Sequence, residues 1–238
     1  MTKNIKTKMT NGWRRRLLFF GVLGLFAALL FPGATGRAQS AAPRILVTWS
    51  AKTYVPPFFS GKILPVAGSA ITVSAAVVAG GRAIDLSGQE VRWYLDSDFI
   101  IGGVGKQTAT IDIPWNARGR VDIRVDLPEY GDGGLLQTIA VPVARPEAVI
   151  DAPFPGGQID SVSRFLGWPF FFSVASPDRL VFSWDVGGGE VTGTENPDRL
   201  DLEITNPVSG DEVSITFGIQ NPKRLLEANT QTSVFVVR

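Results

Sequence analysis

The chain contains no cysteine and no histidine among its 238 residues. Without cysteine there is no disulfide, no thiolate nucleophile and no thiol for lipid attachment, so the fold must be held by its cores. Without histidine the commonest general base and the commonest zinc ligand are missing. Ser-His-Asp and Cys-His mechanisms are therefore excluded. Carboxylate chemistry, Ser-Lys chemistry or no chemistry is left. Long Ala/Leu/Glu/Lys stretches are also absent beyond the N-terminus. In their place stand 26 Gly, 16 Pro and frequent Val, Ile, Thr and Phe, a composition of short strands joined by turns. With 45% hydrophobic residues the chain can fill one or two ordinary cores.

Positive charge is scarce after the first segment. Residues 1–40 carry seven of the 23 basic residues and none of the 22 acids, which leaves 16 against 22, a net −6. An acidic body lacks the clustered Lys and Arg that phosphate contacts require, so no nucleic-acid partner is expected. The basic segment itself reads as an export signal. Arg14, Arg15 and Arg16 precede an apolar run from Leu17 to Phe31, Pro32 and Gly33 break it, and small residues follow at Gly36, Ala38 and Ser40. Residues 1–40 are either a cleaved signal peptide or a retained anchor. The uncharged stretch from Leu17 to Gly36 would make about 30 Å of helix, enough to span a bilayer. In both cases the basic side stays in the cytoplasm and the rest is exported, membrane-anchored or secreted.

The remainder repeats itself. In "VRWYLD", Val91, Trp93 and Leu95 alternate with Arg92, Tyr94 and Asp96, the pattern of a half-buried strand. "LVFSWDV" places Phe182, Trp184 and Val186 likewise, with Trp184 lying 91 positions after Trp93. "ATIDI" is matched by "LDLEI" at the same offset, "GRVDIRVDL" by "DEVSITFGI", and "LQTIAVPV" by "TQTSVFVV". A near-constant offset over four strands is an internal duplication. The expected fold class is all-β: two tandem immunoglobulin-like β-sandwiches, 41–145 and 146–238, preceded by one N-terminal hydrophobic helix. Trp93 and Trp184 are the expected core residues. Strand B is read as "AITVSAAVV" in the first repeat, with Ile71, Val73, Ala75 and Val77 inward. In the second it is read as "FFFSVAS", with Phe170, Phe172 and Val174 inward and Phe171 outward, in need of cover.

Three segments invite a functional reading. Asp96 and Asp98 form an Asp-x-Asp pair, but calcium takes six or more oxygens, and the strand end at which they sit favours a turn. "DLPEYGDGG" gathers Asp126, Glu129 and Asp132 at a hairpin and reads as a solvated loop. "GGVGK" lacks the spacing of a phosphate loop and opens no helix. No metal or cofactor is expected. The aromatic entrance "YVPPFF" and Phe171 supply the candidate partner contacts, Tyr54, Phe58, Phe59 and Phe171; the alternative is that they cover the open end of the first sandwich or pack on the second.

The Trp-bearing strands and the strand pairs after them resemble bacterial immunoglobulin-like domains of the PKD type, which also lack inter-sheet cysteines. "TYVPPFFSGKILPVAGS", "WYLD", "GVGK" and "PFFFSV" resemble uncharacterised duplicated exported envelope proteins of reduced-genome bacteria. That resemblance implies a non-enzymatic β-rod for protein contact with envelope proteins, associated with pilus or secretion machinery. It also implies contact with the membrane if the N-terminal helix stays uncleaved. The alternative is a carbohydrate- or peptidoglycan-binding module, which would need Trp93 and Trp184 to face outward.

Overall fold

The computed structural model describes residues 42–193 and 195–238. The signal or anchor helix expected over residues 1–40 lies outside them. Among the described residues no helix is long and apolar enough to cross a membrane. They are almost wholly β, the exception being a single 3-10 turn at Pro177–Arg179.

The first half contributes β1 (Arg44–Ala51), β2 (Ala70–Ala79), β3 (Arg82–Ile84), β4 (Glu90–Leu95), β5 (Asp98–Val104), β6 (Thr108–Asp112), β7 (Gly119–Leu127) and β8 (Leu135–Val143). The second contributes β9 (Glu147–Asp151), β10 (Gln158–Ile159), β11 (Val162–Phe170), β12 (Val181–Val186), β13 (Gly189–Val191), β14 (Arg199–Glu203), β15 (Glu212–Gln220) and β16 (Ala228–Val237). Each half closes two antiparallel sheets on each other. In the first, β1 and β6 flank β2, with β3 beside its end, and the facing sheet runs β5-β4-β7-β8. In the second, β14-β11-β9 faces β10-β16-β15-β12-β13. Strand β10 runs parallel to β16, and the bridge Val66–Ala144 makes the same parallel contact in the first half. Four strands against four in the first half and three against five in the second, with the N-terminal segment of each half reaching both sheets, is the immunoglobulin-like sandwich.

Residues 42–238 form one compact unit with two separate hydrophobic cores. Strand alternation explains the first. On β2, Ile71, Val73, Ala75 and Val77 are buried and the residues between them are not; on β4, Val91, Trp93 and Leu95 are. Trp93 and Trp184 are both buried. Trp93 stands opposite Val125 on β7, and Trp184 opposite Phe217 on β15. A buried indole N–H needs an acceptor. Trp93 Nε1 donates to the Lys106 carbonyl at 2.9 Å and Trp184 Nε1 to the Pro197 carbonyl at 3.0 Å, each thirteen residues downstream. The duplication thus extends to the tether of each indole. It also accounts for "GGVGK", whose turn brings the Lys106 carbonyl over Trp93.

One strand lies elsewhere than expected. Strand B of the second half is β11, Val162–Phe170, and ends where "FFFSVAS" begins. Its inward residues are Ser163, Phe165, Gly167 and Pro169, two of them too small and one too rigid to read as a hydrophobic stripe. The reason is Phe217. A Cβ at position 167 would collide with its ring, so the strand gives up side-chain volume there. Phe170 is only half-buried, Phe171 is buried, and Phe171 adopts a left-handed backbone with φ 60°.

Candidate functional site: the junction and the free edge

The connection from β1 to β2, residues 52–69, is long because it leaves the first sandwich and returns. Its stem is closed by Thr53 Oγ1 donating to the Leu64 carbonyl at 2.6 Å, and by Lys62, whose Nζ donates to the Trp49 carbonyl at 2.8 Å. Its tip crosses to the second sandwich. The Tyr54 N–H donates to the Phe172 carbonyl, and the Phe171 N–H to the Tyr54 carbonyl, both at 2.7 Å. This pair of bonds holds Phe171 in its left-handed conformation, which costs a bulky residue about 1–3 kcal/mol. Phe59 meets Phe171 edge-on at 5.6 Å and Phe170 at 5.9 Å, and Phe58 meets Trp168 edge-on at 4.9 Å. Burial raises the Tyr54 hydroxyl above its ordinary pKa of 10.0, and the negative charge of Asp198 on the second sandwich adds to the shift.

Of the four sequence-derived contact residues, Tyr54, Phe59 and Phe171 therefore lie at an internal seam, and Phe58 flanks it at 61% exposed. A second seam was not visible in the sequence. Arg224, on the turn between β15 and β16, donates from Nη1 to the Gly68 carbonyl at 2.5 Å, and its guanidinium lies 5.1 Å over Trp115. Gly68 has φ 76° and lies so close to Trp115 that a Cβ would sit 2.5 Å from the indole. Glu227 steadies that turn. It is buried, Oε1 accepts the Ser173 N–H at 2.6 Å and Oε2 accepts from Asn221 Nδ2 at 2.5 Å. Beside this second seam opens a groove of about 440 Å³ lined in part by Trp115, Arg118, Arg145 and Leu226.

Among the carboxylates flagged by sequence, Asp96 holds a turn. Asp96 takes φ 52° in the β4–β5 turn; its N–H donates to the Asp122 carbonyl at 2.7 Å and its Oδ1 accepts the Asp122 N–H at 3.0 Å. Asp98 opens β5. Among the described residues no three acidic side chains converge as a metal site would require.

An exposed apolar strip lies at the edge of the first sandwich. Strand β5 ends its sheet and has neither Lys nor Pro. Phe99, Ile100 and Val104 are 58%, 40% and 70% exposed. Behind them Tyr94 meets Phe99 edge-on at 5.6 Å and carries the Arg124 guanidinium at 4.0 Å. An unpaired edge of this kind is a template for another strand unless it is shortened, charged or covered.

The class of molecule is thus a pair of immunoglobulin-like sandwiches joined at two seams, a conclusion that rests on strand order and register. No family model matches the chain, and no curated protein sequence matches it. Solved structures align with the chain at low similarity. Fibronectin(III)-like modules of Clostridium thermocellum CbhA align over 81% of this chain and 93% of their own at 15% identity and a TM-score of 0.29. Invasin, a bacterial integrin-binding protein, aligns over 82% and 39% at 14% identity and 0.29. An ICAM-5 ectodomain fragment aligns over 82% and 53% at 10% identity and 0.30.

Proposed function

We propose that this chain is a non-catalytic protein exported to the cell envelope, where its two sandwiches act as one stiff module for protein contact. The observation that carries this reading is the bare β5 edge. A partner strand laid along it would extend the β5-β4-β7-β8 sheet and cover Phe99, Ile100 and Val104, the geometry of recognition by strand addition. The two seams support the stiffness, because both reach across by backbone acceptors as well as by side-chain packing. The export signal read in residues 1–40 supports the location, and pilus or secretion machinery is a fitting class of host for such a module. The carboxylates with resolved shifts, Asp85, Asp160 and Asp201, are all held below their ordinary range by hydrogen bonds, whereas a general acid must be raised. The carbohydrate-binding alternative called for outward Trp93 and Trp184, and their burial supports the contact reading instead.

A photo-cross-linking residue placed at Val104 in intact cells tests this. Discrete protein adducts are expected there, and few from the same probe at Glu190 on β13. Phe99→Lys should abolish adducts at Val104 without altering the thermal midpoint. Equal labelling at both positions, or none at Val104, would remove the basis for the reading.

A further inference from the structure

We infer that the groove beside the second seam binds an acidic, extended peptide segment. Two arginines from separate parts of the chain line the groove, Arg118 from the β6–β7 connection and Arg145 from the link between the sandwiches, and a third, Arg224 from the β15–β16 turn, lies over Trp115 of the lining. Their convergence opposes the net −6 of the described body, in which acids outnumber basic residues. None of the three makes an ion pair among the described residues, whereas Arg92, Arg120, Arg164, Arg199 and Arg238 all do. The acid that lines the groove, Glu227, offsets one of these charges but turns its oxygens to Ser173 and Asn221 rather than to an arginine, so the arginines stay in excess. The groove is therefore a positive recess in a negative surface. Such a recess attracts an acidic ligand and repels a basic one.

The apolar part of the lining selects the class of acidic ligand. Leu226 is 88% exposed at the rim and Trp115 is 59% exposed, and Val66, Ala67 and Pro146 continue the surface inward. Aliphatic walls fit peptide side chains. A sugar ring prefers an open aromatic face, and part of the Trp115 face is already taken by Gly68 and Arg224. Arg is suited to the task, since its planar fork can hold a carboxylate with two parallel bonds. At about 440 Å³ the volume lies in the range of ordinary ligand clefts and accommodates a few residues of a peptide.

The site is independent of the β5 edge, and its test separates the two. The full chain, purified in a non-ionic detergent, is titrated into a short fluorescent peptide that alternates Glu with Leu, and polarisation is read. Binding is expected, weakening steadily as salt rises past about 0.15 M, where charges are screened beyond about 8 Å. Arg118→Glu and Arg145→Glu should each weaken it by roughly tenfold or more, because each puts like charge against the ligand, with unchanged circular dichroism. Phe99→Lys should leave peptide affinity unaltered. Equal binding of the Gln-for-Glu peptide, undiminished binding by both Arg variants, or binding of an acidic oligogalacturonate in place of the peptide would each overturn the inference.

Discussion

The two sandwiches share a strand plan and solve its packing differently. The first core has one aromatic, Trp93, among its nineteen buried members; the second has five among thirteen, namely Phe165, Phe172, Trp184, Phe217 and Phe235. Opposite the tryptophan stands Val125 in one and Phe217 in the other, the latter with its ring centroid 4.3 Å from that of Trp184. Larger rings fill the space with fewer residues but impose a hole elsewhere, and Gly167 supplies it. The edges differ as well. Strand β5 is seven residues long and apolar, while its counterpart β13 has three residues with Glu190 at the middle. The second sandwich protects that edge and the first does not. The two halves thus share a fold and differ in core filling and in edge.

The comparison can be broken or sharpened by substitution. The largest effect is expected at the shared feature. Trp93→Ala and Trp184→Ala should each cost about 3–5 kcal/mol, seen as lower denaturant midpoints, since each removes a buried ring together with its hydrogen bond. A smaller effect is expected where the cores differ. Gly167→Ala should cost about 1–3 kcal/mol through collision with Phe217. Adding Phe217→Val, which imitates Val125, should recover part of that loss, so the double variant is more stable than the sum of the singles implies. A strictly additive result would mean that Gly167 is not there to admit the ring.

Next comes the seam that joins them. Phe59→Ala removes edge-on contacts with Phe170 and Phe171 and should cost about 1 kcal/mol. Amide exchange at Phe171 should quicken, while Trp93 and its neighbours keep their protection. The smallest effect is electrostatic. Arg238 holds the Asp160 carboxyl below its ordinary value of 3.8 by a hydrogen bond, and Arg164, aided by Arg199, does the same for Asp201. A depressed carboxylate stabilises the fold above its ordinary value and loses that contribution as pH falls through the lower folded value. Acid titration below pH 3.8 should therefore loosen the second sandwich. Asp160→Asn with Asp201→Asn should flatten that dependence, with little change at neutral pH because these pairs are exposed.

The strand plan was readable to the extent that alternation was. Strands β2, β4, β6 and β7, and β12, β14 and β15 in the second half, show it openly, because each buries a face of apolar residues. Strand β11 does not, since Gly167 and Pro169 occupy inward positions, and the apolar "FFFSV" beyond it diverted the reading. Strand β5 was taken for part of a glycine-rich turn because Gly102 and Gly103 interrupt its pattern. Tyr54, Phe58, Phe59 and Phe171 are recognisable as apolar surface in search of cover; Phe59 and Phe171 cover each other, whereas Phe58 lies on Trp168 and stays 61% exposed. Trp115, Arg118, Arg145 and Arg224 carried no local signal at all, being scattered across more than a hundred positions.

Composition and period-two patterning already imply an all-β chain stated twice around two tryptophans, because a strand's inward face is decided by its own neighbours in sequence. The seams, the groove and the bare edge arise from segments far apart in the chain. Where Arg224 finds Gly68, and where Tyr54 finds Phe172, depends on how the finished sandwiches meet, and no local rule encodes such a distance.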